Sequence, residues 1–193
     1  MVQADEREWL LQAKQGDTMA FARLVHRHQT AVFNVAYRML GRRQDAEDAA
    51  QAAFLRAYRA LERFDTSRPF APWIKRITTN LCLNRIEAAR ARPTVLATDL
   101  GQPEEEAADM DTWPHAAPTP EQVLLAQEQG VRIRAAILQL PPHYRAVIEL
   151  RHFQEMRYDE IAEVVGRPLS SVKSDLFRAR KMLAKMLKRI VDI

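Results

Sequence analysis

A single cysteine, Cys82, stands in 193 residues. No internal disulfide can form, and the chain fits a reducing cytoplasm. Among apolar and basic neighbours Cys82 reads as a small buried side chain rather than a redox centre. No run of about 18 apolar residues occurs, which predicts no transmembrane helix and no direct membrane insertion. The opening MVQADEREW is acidic and polar, unlike the basic start and apolar core of a signal peptide. Catalytic signatures are missing as well: the sequence holds no CxxC pair, HExxH, glycine-rich phosphate loop or GxSxG. His115, His143 and His152 are scattered without an evident carboxylate or thiol partner. His26 and His28, two apart, would point to different sides of a helix, which argues against a metal pair. The expectation is a protein that is not an enzyme and carries no metal, no cofactor and no small-molecule substrate. Strand candidates and internal repeats are also lacking, so the predicted fold class is all-α.

What is present is an uneven charge distribution. Residues 1–92 carry 16 basic and 10 acidic side chains, residues 93–120 carry six acidic and no basic ones, and residues 121–193 carry 13 basic and nine acidic ones. Two basic blocks flank an acidic spacer that also holds five of the ten prolines. The spacer reads as an extended linker, and the chain as two small helical domains, 1–92 and 121–193, joined by 93–120. Opposite charges on a short linker and on the blocks allow the two domains to close on each other. Basic blocks attract phosphate backbones, although modest positive charge is common in proteins that bind nothing anionic.

In the first block, Phe21, Leu24, Val25, His28, Val32, Val35, Ala36 and Met39 recur at three and four. They predict a long amphipathic helix ending at Gly41, with Asp17 or Thr18 as its N-cap. In the next helix Asp45 is the expected N-cap, with Asp48 completing a capping-box variant, and Ala50, Phe54, Ala57 and Leu61 inward. Its acids either complement the helix dipole or form a docking surface for a protein. FDTSRPFAPW then breaks the helix at two prolines, and WIKRITTNLCLNRIEAARAR resumes it, with Ile74, Ile77 and Leu81 inward. Rings beside cations and amides suit single-stranded nucleic acid, where bases stack, phosphates meet cations and amides read base edges; Phe70 and Trp73 fit a core equally well.

In the second block a helix from Glu121 leads to the Pro141-Pro142 break, and another helix runs from Tyr144 to Phe153. Tyr158 to Val165 follows as a short amphipathic helix with Ile161, Ala162 and Val165 inward. Gly166 supplies a left-handed turn and Pro168 the first turn of a second helix. That helix sets Leu169, Val172, Leu176, Ala179, Leu183, Leu187 and Ile190 on one face. Ser170, Ser171, Ser174, Arg178 and Lys181 lie opposite, with Lys173 on a flank. This is a helix-turn-helix pattern whose second helix suits a DNA major groove; a plain helical hairpin with a solvated basic face shares the pattern.

Taken together, DAEDAAQAAFLRAYRAL followed by PWIKRITTNLCLN, and LPPHYRAVIELRHFQEMRYDEIAEVVGRPLSSVKSDLFRARKML, resemble regions two and four of the extracytoplasmic-function (ECF) sigma factors of bacterial RNA polymerase. The resemblance covers nearly the whole chain and implies a promoter-recognition subunit in the cytoplasm. Its partners would be core polymerase, met at the clamp helices and the flap, promoter DNA as duplex and as non-template single strand, and an anti-sigma factor. It implies polymerase contacts for Asp45, Glu47, Asp48, Gln51, Phe54 and Tyr58. It implies capture of the −10 element by Arg68, Trp73, Lys75, Arg76, Asn80 and Asn84. It implies reading of the −35 element by Ser170, Ser171, Lys173, Ser174 and Arg178. Two positions depart from the family: Asp175 stands where many members carry Arg, and Ser170 where Gly is frequent. A carboxylate facing the groove would repel phosphate and accept from cytosine N4. A stand-alone helix-turn-helix regulator is the alternative, and it needs nothing from residues 45–84.

Overall fold

The structure is a computed structural model that describes residues 2–91 and 130–191. The predicted linker and the helix start at Glu121 lie outside the described residues. Every regular element among those described is helical.

Helix α1 (Val2–Lys14) packs on α2 (Thr18–Leu40), and α2 packs on α3 (Arg43–Ala60) and α4 (Phe70–Ala91). Asp17 caps α2: its Oδ1 accepts from the backbone N–H groups of Met19 at 2.8 Å and Ala20 at 3.1 Å. Asp17→Ala is expected to cost about 1 kcal/mol, lowering a thermal melt by about 2–4 °C in a chain of this size. The apolar stripe of α2 is buried as its spacing predicts, from Leu24 and Val32 to Met39, and joins Phe54, Leu61, Phe70 and Ile74 in one core. At about 1.5–3 kcal/mol per buried aliphatic or aromatic side chain, this stripe rather than helix propensity holds the bundle together.

Two helix starts in the first bundle differ from expectation. Helix α3 begins at Arg43 with Arg42 as its N-cap, and neither Asp45 nor Asp48 caps it. Asp45 lies in the first turn, 3.9 Å from Arg42 Nε, where a carboxylate favours the dipole without capping. Helix α4 starts at Phe70, so Pro72 sits inside its first turn, where proline's missing N–H costs no helical bond.

The second bundle comprises α5 (described over 130–138), α6 (Pro142–Ile148), α7 (Tyr158–Val165) and α8 (Leu169–Val191). Helix α6 starts two residues before the predicted Tyr144 and widens over Glu149–Phe153 into a π-helical turn. Ile161, Val164, Val172, Leu176 and Ala179 form its core with Leu140, Val147 and Leu150. Leu169 departs from the inward face predicted for it and is exposed, because it is the first residue of α8 and lies beyond the edge of α7.

The two bundles are closed on each other. Helix α4 packs on α6 and α7, and α2 packs on α6 and the π-turn. Ala146 of α6 enters a cluster with Val35, Ala36, Met39 and Cys82. Gly41 ends α2 at φ 84°, and a Cβ there would stand 2.9 Å from Leu138 Cδ1, so glycine serves both the left-handed cap and the close approach of α5. The Arg145 guanidinium donates to the carbonyls of Met39, Leu138 and Leu140, which terminate α2 and α5. One cation thus satisfies end carbonyls of two helices from different bundles.

Candidate nucleic-acid interface

On α3 the acidic face is set by the small residues beneath it. Ala46, Ala49, Ala53 and Ala57 let α3 lie close to α2 and α4, leaving Glu47, Asp48 and Gln51 exposed. Glu47 is paired with Arg43 at 3.0 Å. Asp45 is half-buried, and its carbonyl accepts from Arg85 at 2.9 Å. Phe54 differs from the rest of this set: its ring is buried in the core, so it supports the surface from below. Tyr58 is exposed and edge-packed on Phe21, with ring centroids 4.9 Å apart. Leu55, 58% exposed, was not among the sequence candidates. It falls between Gln51 and Tyr58 at helical spacing, giving the stripe Asp48, Gln51, Leu55, Tyr58 an apolar centre. The signal available was an apolar residue on the polar side of the wheel.

Of the six residues expected to capture single-stranded DNA, the fold brings four to one stripe of α4. Trp73, Arg76, Asn80 and Asn84 follow one another at three and four, and Arg76 and Asn84 are exposed. Trp73 is half-buried, its ring centroid 4.4 Å from Phe64 and 5.6 Å from Phe70. Phe70 is fully buried, so the ring cluster is partly core and partly platform. Arg68 is exposed in the turn before α4, where its N–H donates to the Asp65 carbonyl at 3.0 Å. Lys75 is the residue that does not join. It lies off the stripe towards the second bundle, and burial lowers its pKa against the opposing pull of Glu149 and Glu160. Cys82 is buried on the same side, its thiol pushed up to about 12 by desolvation, which keeps it protonated and inert.

In the helix-turn-helix, Gly166 ends α7 at φ 65°, and Asp159 and Glu160 occupy the first turn of α7. Glu160 Oε2 accepts from the Arg157 N–H at 2.7 Å. Pro168 stands one residue before α8, its carbonyl accepting the first helical bond, from Val172 at 3.1 Å. Ser170, Lys173, Ser174, Arg178 and Lys181 are exposed together, and Ser171 is half-buried. Asp175 is the correction here. It is 5% exposed and ion-paired with Arg167, turned away from the groove-facing side. The expected repulsion of phosphate falls away, and no acid faces out among the first three turns of α8. Phe177, 69% exposed, lies at the centre of that face between Ser170, Ser174 and Lys181. A ring so placed can meet a thymine methyl.

A family model for sigma-70 region 2 matches residues 24–92, and one for sigma-70 region 4 matches residues 130–183. The chain is 36% identical to the ECF RNA polymerase sigma factor SigW of Bacillus subtilis, over 92% of this chain and 94% of that one. It is 31% identical to the RNA polymerase sigma-H factor of Pseudomonas aeruginosa, over 99% and 98%. Among solved structures, CnrH in complex with the cytosolic domain of CnrY superposes with a TM-score of 0.66 at 26% identity, covering 96% of this chain and 98% of that one. The α4 stripe and the exposed face of α8 both lie in segments the family models match, and the chain belongs to the ECF sigma-factor family of RNA polymerase.

Proposed function

We propose that the chain initiates transcription by giving core RNA polymerase its promoter. Residues 1–92 act as region two, with the α3 stripe Asp48, Gln51, Leu55, Tyr58 docking on the polymerase clamp. The α4 stripe Trp73, Arg76, Asn80, Asn84, helped by Arg68, holds the unpaired non-template strand of the −10 element. Residues 121–193 act as region four, with Ser170, Lys173, Ser174, Phe177 and Arg178 reading the −35 element as duplex. Residues 93–120 link the two. The protein works in the cytoplasm, without catalysis of its own. An anti-sigma factor is the expected regulator, in keeping with CnrH, which was solved with the cytosolic domain of another protein.

The observation that carries this reading is one chain presenting two different nucleic-acid surfaces, an aromatic-amide stripe on α4 and an acid-free basic face on α8. A duplex-binding repressor needs the second and has no use for the first. The test is multi-round transcription on sheared host DNA with core polymerase, with and without the protein. Discrete new starts are expected, and Asp48→Arg should abolish them while leaving binding to −35 duplex within about twofold, since a surface charge far from α8 acts weakly there. Duplex binding without any new starts would select the stand-alone regulator.

A further inference from the structure

The contact between the bundles is built around a buried carboxyl group. Glu149 opens the π-turn after α6 and is 1% exposed. Its Oε1 accepts from Arg38 of α2 at 3.2 Å and from Gln154 of its own turn at 3.0 Å. Its Oε2 is buried and, among the described residues, without a hydrogen-bond partner. The Arg38 guanidinium also covers the Phe153 ring at 4.2 Å. A second cross-bundle contact lies nearby: Arg134 of α5 sits 5.1 Å from the Tyr37 ring and donates to its hydroxyl at 3.3 Å. From α4, Lys75 and the protonated Cys82 face the same carboxyl, and Glu160 of α7 faces Lys75.

We infer that Glu149 is a proton-controlled latch: protonated, it lets the two bundles close with little penalty, and ionised, it favours their separation. A carboxylate here must give up water for the Arg38 and Gln154 contacts on Oε1 and leave Oε2 unpaired, which the neutral acid does at far lower cost. Opening returns Glu149 to solvent and uncovers Lys75. The latch is read from packing alone and stands apart from the promoter reading.

The sign follows from linkage. Burial, opposed by Arg38, Gln154 and Lys75, pushes the Glu149 carboxyl in the closed form up to about 7 from an ordinary 4.5. The closed form therefore holds its proton more tightly than the open form. Its advantage is complete below the ordinary value and is lost as pH rises through about 7. Between pH 5.5 and 8 the open-to-closed ratio should rise roughly thirtyfold. Burial lowers the Lys75 pKa from its ordinary 10.5, against the pull of Glu149 and Glu160.

The test is energy transfer between dyes on the full chain, attached through Glu62→Cys and Lys185→Cys, both exposed sites. Cys82→Ala removes the native thiol, so that only these two sites carry dye. Transfer should fall as pH goes from 5.5 to 8. Glu149→Gln, which copies the neutral acid, should stay closed and flat across that range. Arg38→Met, which removes the ion-pair partner, should steepen the dependence and open the chain further at pH 8. A flat wild-type profile, or Glu149→Gln with the wild-type slope, overturns the latch. If Glu149→Gln does not fold, an Arg38→Met profile identical to wild type overturns it equally.

Discussion

Trp73→Ala is expected to weaken capture of the melted −10 strand by the polymerase-bound protein about tenfold to a hundredfold. Stacking one base on an aromatic ring contributes about 1–3 kcal/mol, and each 1.4 kcal/mol is a factor of ten. The proposed stacking and the observed packing of the ring differ in size. The ring packs on Phe64 and Phe70, at centroid distances of 4.4 and 5.6 Å, and is half-buried, on the same helical stripe as Arg76 and Asn80. Because Trp73 is half-buried, truncation should cost only about 1–2 kcal/mol of stability, below the 3–5 of a fully buried tryptophan. The two effects are read apart by a thermal melt and by binding of a labelled single-stranded −10 oligonucleotide to the holoenzyme. Trp73→Phe keeps a stacking face and should recover most of the binding while leaving part of the stability loss. If Trp73→Ala bound the strand as wild type does while melting several degrees lower, the ring would be core alone.

The helices were legible in the sequence because their cores are periodic. Leu24 to Met39 in α2 and Val172 to Ala179 in α8 are buried where a period of 3.6 puts them. Gly41 and Gly166 take the left-handed conformation at the helix ends predicted for them. The errors divide between local backbone and partners distant in sequence. Asp45 looked like a cap because Asp is a good capping residue, but Arg42 already has the extended backbone a cap requires, and α3 starts there. Lys75 belongs by spacing and chemistry to a basic, nucleic-acid-binding helix. Two residues after Trp73, it points away from the α4 stripe by helical spacing alone; what covers its side, α6 and α7, lies about seventy residues further along the chain. Glu149 sits in the apolar run AVIELR, where a lone acid signals a special site, yet its cation is Arg38 of the other bundle. Local pattern gives the face of a helix; the neighbour that covers the face is a tertiary fact.

Asp175→Arg carries the other large expected effect, and its direction depends on this distinction. By family pattern an arginine at this position of the recognition helix looks like a gain in DNA contact. In this chain the position is 5% exposed, and Arg167, across the turn between α7 and α8, pairs with its carboxylate. Substitution would bury a second guanidinium against the first and remove the carboxylate that pairs with Arg167. An uncompensated buried charge costs about 3–5 kcal/mol, and partial escape of a long side chain along the helix surface would reduce that to about 2–4. The protein should melt well below wild type, at about 2–4 °C per kcal/mol for a chain of this size. Binding to −35 duplex should fall with it, because α8 loses the tie that holds its N-terminal end to the turn. Asp175→Asn keeps the volume and a hydrogen-bond acceptor for Arg167, which is 42% exposed and can relax into water, so it should cost about 1 kcal/mol. Melting followed by circular dichroism, alongside duplex binding across a salt series, separates the outcomes. A stable Asp175→Arg protein that bound duplex more tightly, with a steeper salt dependence, would mean that residue 175 faces the phosphates and not Arg167.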